Sequence, residues 1–169
     1  DSSPSRGLGD VYKRQSMPNG GNNLHRNVIF RDNGDKARQV IPFSALDSAN
    51  PEDLWLYLKN YETLTGGKVL AIPHNGNLSN GMMFWDKTFN GDAIDKSYAD
   101  ARSRWEPLVE ATQIKGDGEA HPYLSPNDEF ADYETWDKSN LGRVQPPKQP
   151  WMLRHEYARS ALKLGLELE

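Results

Sequence analysis

The chain has 169 residues, a net charge of -4, 36% hydrophobic and 26% charged residues. No run approaches the ~20 apolar residues of a membrane-spanning helix, and mean hydropathy is -0.82. Five Trp, seven Tyr and five Phe argue against a wholly disordered chain, the lack of a Lys/Arg block argues against nucleic-acid binding, and with no Cys there is neither a disulfide framework nor a thiolate metal site.

Residues 1–15 begin with the polar run Asp1-Ser2-Ser3-Pro4-Ser5-Arg6-Gly7 and lack the apolar core of a secretory leader. Asp10-Val11-Tyr12-Lys13-Arg14-Gln15 back-translates as GAT GTG TAT AAG AGA CAG. That string resembles a transposon mosaic-end adapter from sequencing libraries. Residues 1–15 are therefore expected to be a disordered adapter scar, the alternative being a natural polar tail. The genuine sequence is expected to begin at Ser16 or Met17. Residues 16–169 then read as an interior fragment of one domain, truncated at both ends, because Leu166-Glu167-Leu168-Glu169 stops in mid-helix pattern. A piece cut in that way is expected to expose strand edges and, expressed alone, to be insoluble or poorly folded, and inactive.

Leu24 to Phe30 has the β-branched and aromatic content of a strand, closed by the turn residues 32–35. A helix follows. Asn50 caps it, Pro51 suits its first position, and Glu52 and Asp53 complement its positive end. Leu54, Leu58, Tyr61 and Leu64 share one helix face, and Gly66-Gly67 stops it. Residues 68–72 form an apolar run between Gly and Pro, as in a strand buried on both faces. A polar loop over 73–91 leads to a helix over 92–105, which Pro107 ends. Residues 108–114 predict a third strand, 115–128 a loop and 138–150 a Pro-rich connector. A last helix from Pro150 would align Leu153, Tyr157, Ala161, Leu164 and Leu168. This alternation argues an α/β fold with parallel strands, right-handed crossovers and long strand-end loops. Ligands in such folds bind at the carboxyl ends of strands, here after Phe30, Ile72 and Ile114.

Three of the four His lie in or beside a predicted strand end. His74 directly follows Pro73, which stiffens the strand exit, and Asn75-Gly76 and Asn77 supply tight turns. Neutral imidazole is the commonest protein metal ligand; the alternative is a His that bonds a loop carbonyl. Lys115, Asp117, Glu119 and His121 crowd four ionisable groups into a few residues, although a solvated turn has the same composition. His25-Arg26-Asn27 places polar groups in an apolar strand, which a metal or an anion would satisfy, or which an edge strand would leave in water. His155 reads as an exposed helix residue, and Asp128, Glu129, Asp132 and Glu134 as a solvated acidic face. No G-x-S-x-G, P-loop or dinucleotide fingerprint occurs.

The blocks HRNVIF (25–30), AIPHNGNLSNGMMF (71–84), WEPLVEATQIKGDGEAHPYLSPNDEFADYE (105–134) and EYARSAL (156–162) resemble the bacterial family DUF3604. That family is similar to the PHP superfamily of metal-dependent phosphoesterases. The resemblance implies part of a distorted (β/α)7 barrel with a multi-metal site rich in His and carboxylates. His25 matches the His that follows the family's metal-binding Glu. His74 matches the His of the strand-end A-H-P-like motif. Both would be metal ligands. Lys115, Glu119 and His121 sit in a block that resembles a family-specific insertion at the site mouth, and they join Arg26, Asn75 and Asn77 as substrate contacts. The family's H-x-H, D-H and D-x-H motifs and its metal-binding Glu do not occur here, Leu24 preceding His25. The expectation is a metal-dependent hydrolase, of phosphoesterase type, using zinc, manganese or iron on a small anionic or ester substrate. The alternative is a non-catalytic domain that binds an anion or carbohydrate on the same barrel. Family members often look exported, so an exported or periplasmic location is open.

Overall fold

The computed structural model describes residues 22–48, 50–136 and 147–168, with the backbone alone of 8–12 and 15–16. In chain order the strands and helices are β1 (Leu8–Tyr12), β2 (Gln15–Ser16), β3 (Asn22–Asn23), β4 (His25–Phe30), α1 (Gly34–Ala37), α2 (Pro51–Thr65), β5 (Val69–His74), α3 (Lys96–Trp105), β6 (Thr112–Gln113), β7 (Gly116–Asp117), α4 (Pro150–Leu153) and α5 (Ala158–Glu167). Most of the stretch expected to be a scar, Met17 and most of the 138–150 connector lie outside the described residues. Leu8–Tyr12, expected to lack structure, runs as a strand beside β4.

Helix α2 forms as its capping residues predict. The Asn50 side chain accepts the Glu52 N–H at 2.9 Å. Gly66 ends the helix with φ 61°, a left-handed conformation that costs glycine little. Leu54, Trp55, Leu58 and Tyr61 are buried, whereas Leu64, expected on the same stripe, is exposed. They pack with Val28, Val69, Ala71 and Trp105 into one core. Helix α3 starts at Lys96, later than the boundary expected at Asp92, because Asp95 caps it by accepting the Tyr98 N–H at 2.8 Å. Tyr98 then meets Trp55 edge-on, with ring centroids 5.2 Å apart.

The parallel arrangement expected from the element order is not adopted by β4 and β5. They pair antiparallel, in a sheet ordered β1-β4-β5. The connection between them explains this. Phe30 pairs with Val69, and Arg31 donates its N–H to the Lys68 carbonyl at 2.9 Å. The connection therefore leaves and re-enters the sheet at the same end. Its outward pass is the irregular segment that brings Phe43, Ser44 and Ala45 beside Leu24 and Arg26. Its return pass is α2, whose Tyr61 ring lies 4.8 Å from that of Phe30. A crossover to a parallel strand needs a single pass; out and back gives an antiparallel one. The expected third strand is also reduced. Residues 107–111 are irregular, and the two-residue strands β6 and β7 that follow pair in a separate hairpin. The last helix is broken into α4 and α5, because Arg154–Tyr157 leave helical geometry to carry His155 and Glu156 inward.

Alternation along β4 divides its polar residues between two faces. Arg26 points into the core side, where its Nε donates to Glu106 Oε1 at 2.9 Å and its Nη1 to the Leu24 carbonyl at 2.8 Å. Trp55 donates to the same Glu106 oxygen at 3.0 Å, and Arg102 lies 3.2 Å from the other. Burial by itself would raise the Glu106 pKa. The charges of Arg26 and Arg102 and the hydrogen bonds from Arg26 and Trp55 outweigh it and hold the carboxyl below its ordinary value. A lowered folded pKa contributes stability above the ordinary carboxyl value of 4.5, and that stability is lost as pH falls through the folded value. Unfolding free energy measured by denaturant titration should therefore drop as pH falls below 4.5. Glu106→Gln, which leaves the buried Arg26 and the half-buried Arg102 without their anion, should cost about 3–5 kcal/mol at neutral pH and flatten that acid dependence.

Candidate functional site

His25 and His74 stand directly opposite one another in the β4–β5 ladder. Paired residues of an antiparallel ladder share a face, and here it is the face turned away from α2. The two rings lie 6.2 Å apart, centroid to centroid, with their planes 24° from parallel. His25 is buried, while the His74 side chain keeps 18% of its exposure. The two histidines are thus brought together, although across a ladder and not between strand ends.

The chain turns sharply after His74. Asn75 adopts φ 60° and ψ 41°, a left-handed conformation that Asn tolerates better than most residues. A short 3-10 turn, Gly76–Leu78, follows. A Cβ on Gly76 would meet the Glu156 carbonyl at 2.7 Å, so only glycine lets this turn close against the C-terminal segment. The left-handed step aims the Asn75 N–H at Glu110, whose Oε2 accepts it at 3.1 Å.

Glu110 arrives from the irregular stretch after α3 and accepts from His74 Nδ1 at 2.9 Å. Burial pushes its pKa up. The His74 and Asn75 hydrogen bonds, with the charges of His74 and Lys115, outweigh that and hold it below the usual carboxylate value. An ionised carboxylate only accepts hydrogen bonds. His74 therefore carries a proton on Nδ1, and in the neutral ring Nε2 holds the lone pair. Gln113 completes the network, donating from Nε2 to Asn75 Oδ1 at 2.5 Å. The other Asn75 amide atom, Nδ2, donates to His25 Nδ1 at 3.0 Å.

The structure sorts the six expected substrate contacts. Asn75 and Lys115 come to this site, Lys115 half-buried and bearing on the Glu110 charge. Asn77 is buried as a clasp: its Nδ2 donates to the Lys115 carbonyl at 3.0 Å. Arg26 is not brought here, being turned to the opposite face of the sheet and held by Glu106. Glu119 lies at the surface, paired with Arg159 at 2.8 Å. His121 Nδ1 accepts the Tyr123 N–H at 3.1 Å, and its ring packs 5.4 Å from Tyr157. The 115–122 block serves largely as the seat of α5, since the carbonyls of Gly118 and Glu119 accept the N–H groups of Ala158 and Arg159.

Sequence reasoning missed Glu110 and Gln113. Their signal was present as polar residues, with Thr112 between them, inside the otherwise apolar stretch 108–114. His155, expected to be exposed, is buried, and its Nδ1 is 3.1 Å from the Phe84 carbonyl oxygen. Burial pushes the His155 pKa down, against the opposing pull of that carbonyl. Glu156 is fully buried and pushed up by that burial. It takes the Gly81 N–H at 3.0 Å and the Lys148 ammonium at 2.8 Å.

Among the described residues no group of three or more His, Asp, Glu or Cys is gathered so as to hold a metal ion. The donors that are present nonetheless fit part of such a site. A metal-ligating imidazole characteristically gives its other ring nitrogen to a carboxylate, which fixes tautomer and orientation; His74 does this with Glu110. No helix among the described residues is long and apolar enough to cross a membrane.

Fold and site together define a mixed helix–strand protein whose antiparallel pair carries cross-strand imidazoles, one of them backed by a carboxylate. By sequence the chain belongs to the family described as "Protein of unknown function (DUF3604)", which it matches over residues 11–169. No curated protein matches it, and neither does any solved structure.

The Lys148–Glu156 pair ties the 75–81 loop to the C-terminal segment, because Lys148 also donates to the Asn77 carbonyl. Lys148→Met should destabilise the protein by about 3–5 kcal/mol by stranding a buried carboxyl group. Lys148→Met with Glu156→Gln should recover much of the loss, both read by chemical denaturation.

Proposed function

We propose that this chain supplies one wall of a metal-dependent hydrolase site of phosphoesterase type, with His74 as a ligand to a divalent cation and His25 beside it. The observation that carries the reading is the His74–Glu110 hydrogen bond at 2.9 Å, next to a second imidazole on the same sheet face. The resemblance to PHP phosphoesterases supports the same reading. Imidazole and carboxylate donors suit zinc, manganese or iron. Such a cation, when bound, polarises the ester and lowers the pKa of a bound water toward ~7.

The chain's own residues have definable parts. Glu110 fixes the His74 ring and its tautomer. The Asn75 backbone N–H holds Glu110 in place from the left-handed turn. Lys115 sets positive charge near the pair, where it would offset the charge of a small anionic substrate. Arg26, held by Glu106 on the opposite face of the sheet, is given no part in this reading.

The test is metal analysis of a full-length family member that carries these residues, together with a panel of phosphomonoesters, phosphodiesters and carboxyl esters on the same protein. Metal-dependent hydrolysis is expected. Glu110→Ala should lower metal affinity or activity about 10–100-fold, the range for outer-shell partners, and His74→Ala should cost more. Unchanged activity in His74→Ala, or no bound metal, would sink the reading. Saturable binding of sulfate, phosphate or a sugar without turnover would favour the non-catalytic alternative.

A further inference from the structure

We propose that the two site imidazoles are held in opposite tautomers, with His74 offering a lone pair at Nε2 and His25 carrying its proton at Nε2 as a positioning residue. The cation role of His74 rests on the function proposed above; the tautomers do not.

The inference follows from the direction of one hydrogen-bond chain. The Lys115 backbone N–H donates to Gln113 Oε1 at 3.3 Å. Gln113 Nε2 donates to Asn75 Oδ1 at 2.5 Å. Asn75 Nδ2 donates to His25 Nδ1 at 3.0 Å. A backbone amide can only donate, so the first link fixes the polarity of those that follow. Turning Asn75 over would set its NH2 against the NH2 of Gln113. Turning both over would set the Gln113 NH2 against the Lys115 N–H. Every reversal leaves a donor facing a donor, next to an Asn75 that is 2% exposed. His25 Nδ1 is therefore an acceptor, and the proton of the neutral ring sits on Nε2.

The same logic gives His74 the other form. Its Nδ1 faces Glu110, which only accepts. A cation needs a lone pair, and of the two Nε2 atoms only that of His74 has one. His25 then acts at a distance: it receives the Asn75 amide, Asn75 presents its backbone N–H to Glu110, and Glu110 orients His74. The expected pair of equivalent ligands becomes one candidate ligand and one residue that positions it.

The test is long-range proton–nitrogen correlation NMR on the protein labelled with nitrogen-15 at histidine, recorded over a pH series so that the neutral rings are read. Peaks are assigned by their loss in His25→Gln and His74→Gln. The expected result is an unprotonated Nδ1 in His25 and an unprotonated Nε2 in His74. Gln113→Glu supplies a second arm. A carboxylate there repels Asn75 Oδ1, so the Asn75 amide should turn over and move the His25 proton to Nδ1, with His74 unchanged. Zinc added to the wild-type protein should shift His74 Nε2 and leave the His25 tautomer as it was. A His25 proton on Nδ1 in the wild type, or zinc seated on His25 Nε2, would overturn the inference while leaving the hydrolase reading intact. Opposite tautomers with no zinc bound would uphold the inference and count against the hydrolase reading.

Discussion

The pairing of His25–Phe30 with Val69–His74 is the constraint from which the rest of the molecule follows. Strand alternation puts Arg26, Val28 and Phe30 on one face with Val69, Ala71 and Pro73, and His25 and Asn27 on the other with Ile72 and His74. Helix α2 buries the first set. A slip of one residue would send Val28 outward and carry His25 into the core. Apolar burial therefore sets the register, and the register sets the imidazoles opposite each other. The geometry of the site is a consequence of packing on the far side of the sheet.

The buried Arg26–Glu106 pair links the two faces. Glu106 sits where α3 ends, tied to Arg26, Arg102 and Trp55. Four residues on, Glu110 reaches His74. Fixing the exit of α3 in the core thus limits where the site carboxylate can go. Desolvating such a pair is costly, and replacing it with apolar residues could serve stability as well. What the ion pair supplies here is position: it sets the start of the central strand β4, the end of α3 and the start of the 107–111 segment in one arrangement.

A second clamp closes the opposite side. The 75–84 loop is held to the C-terminal segment by Lys148, by the Glu156 carboxyl on the Gly81 N–H, and by the mutual backbone and side-chain contacts of Phe84 and His155. Asn75, at the head of this loop, is gripped by His25, Gln113 and Glu110 together. A left-handed residue so thoroughly bonded is a fixed point, and both imidazoles are referred to it.

Local chemistry in the sequence was enough for the parts governed by neighbours in the chain. The caps of α2, its buried face through Tyr61, the strand character of β4 and β5, and the turn after His74 are written in adjacent residues, because capping, periodicity and backbone preference act over a few positions. Membership of DUF3604 was legible too, in long blocks of residues. Strand direction was not, since out-and-back and single-pass connections share one order of elements and differ only in the path of 38–50. The surroundings of Arg26, Glu119 and His155 were not legible for a related reason: whether a polar side chain meets solvent or a buried partner depends on residues far along the chain, Glu106, Arg159 and Phe84 respectively. Tertiary structure alone brought Glu110 to His74, across 36 positions of chain that no local rule spans.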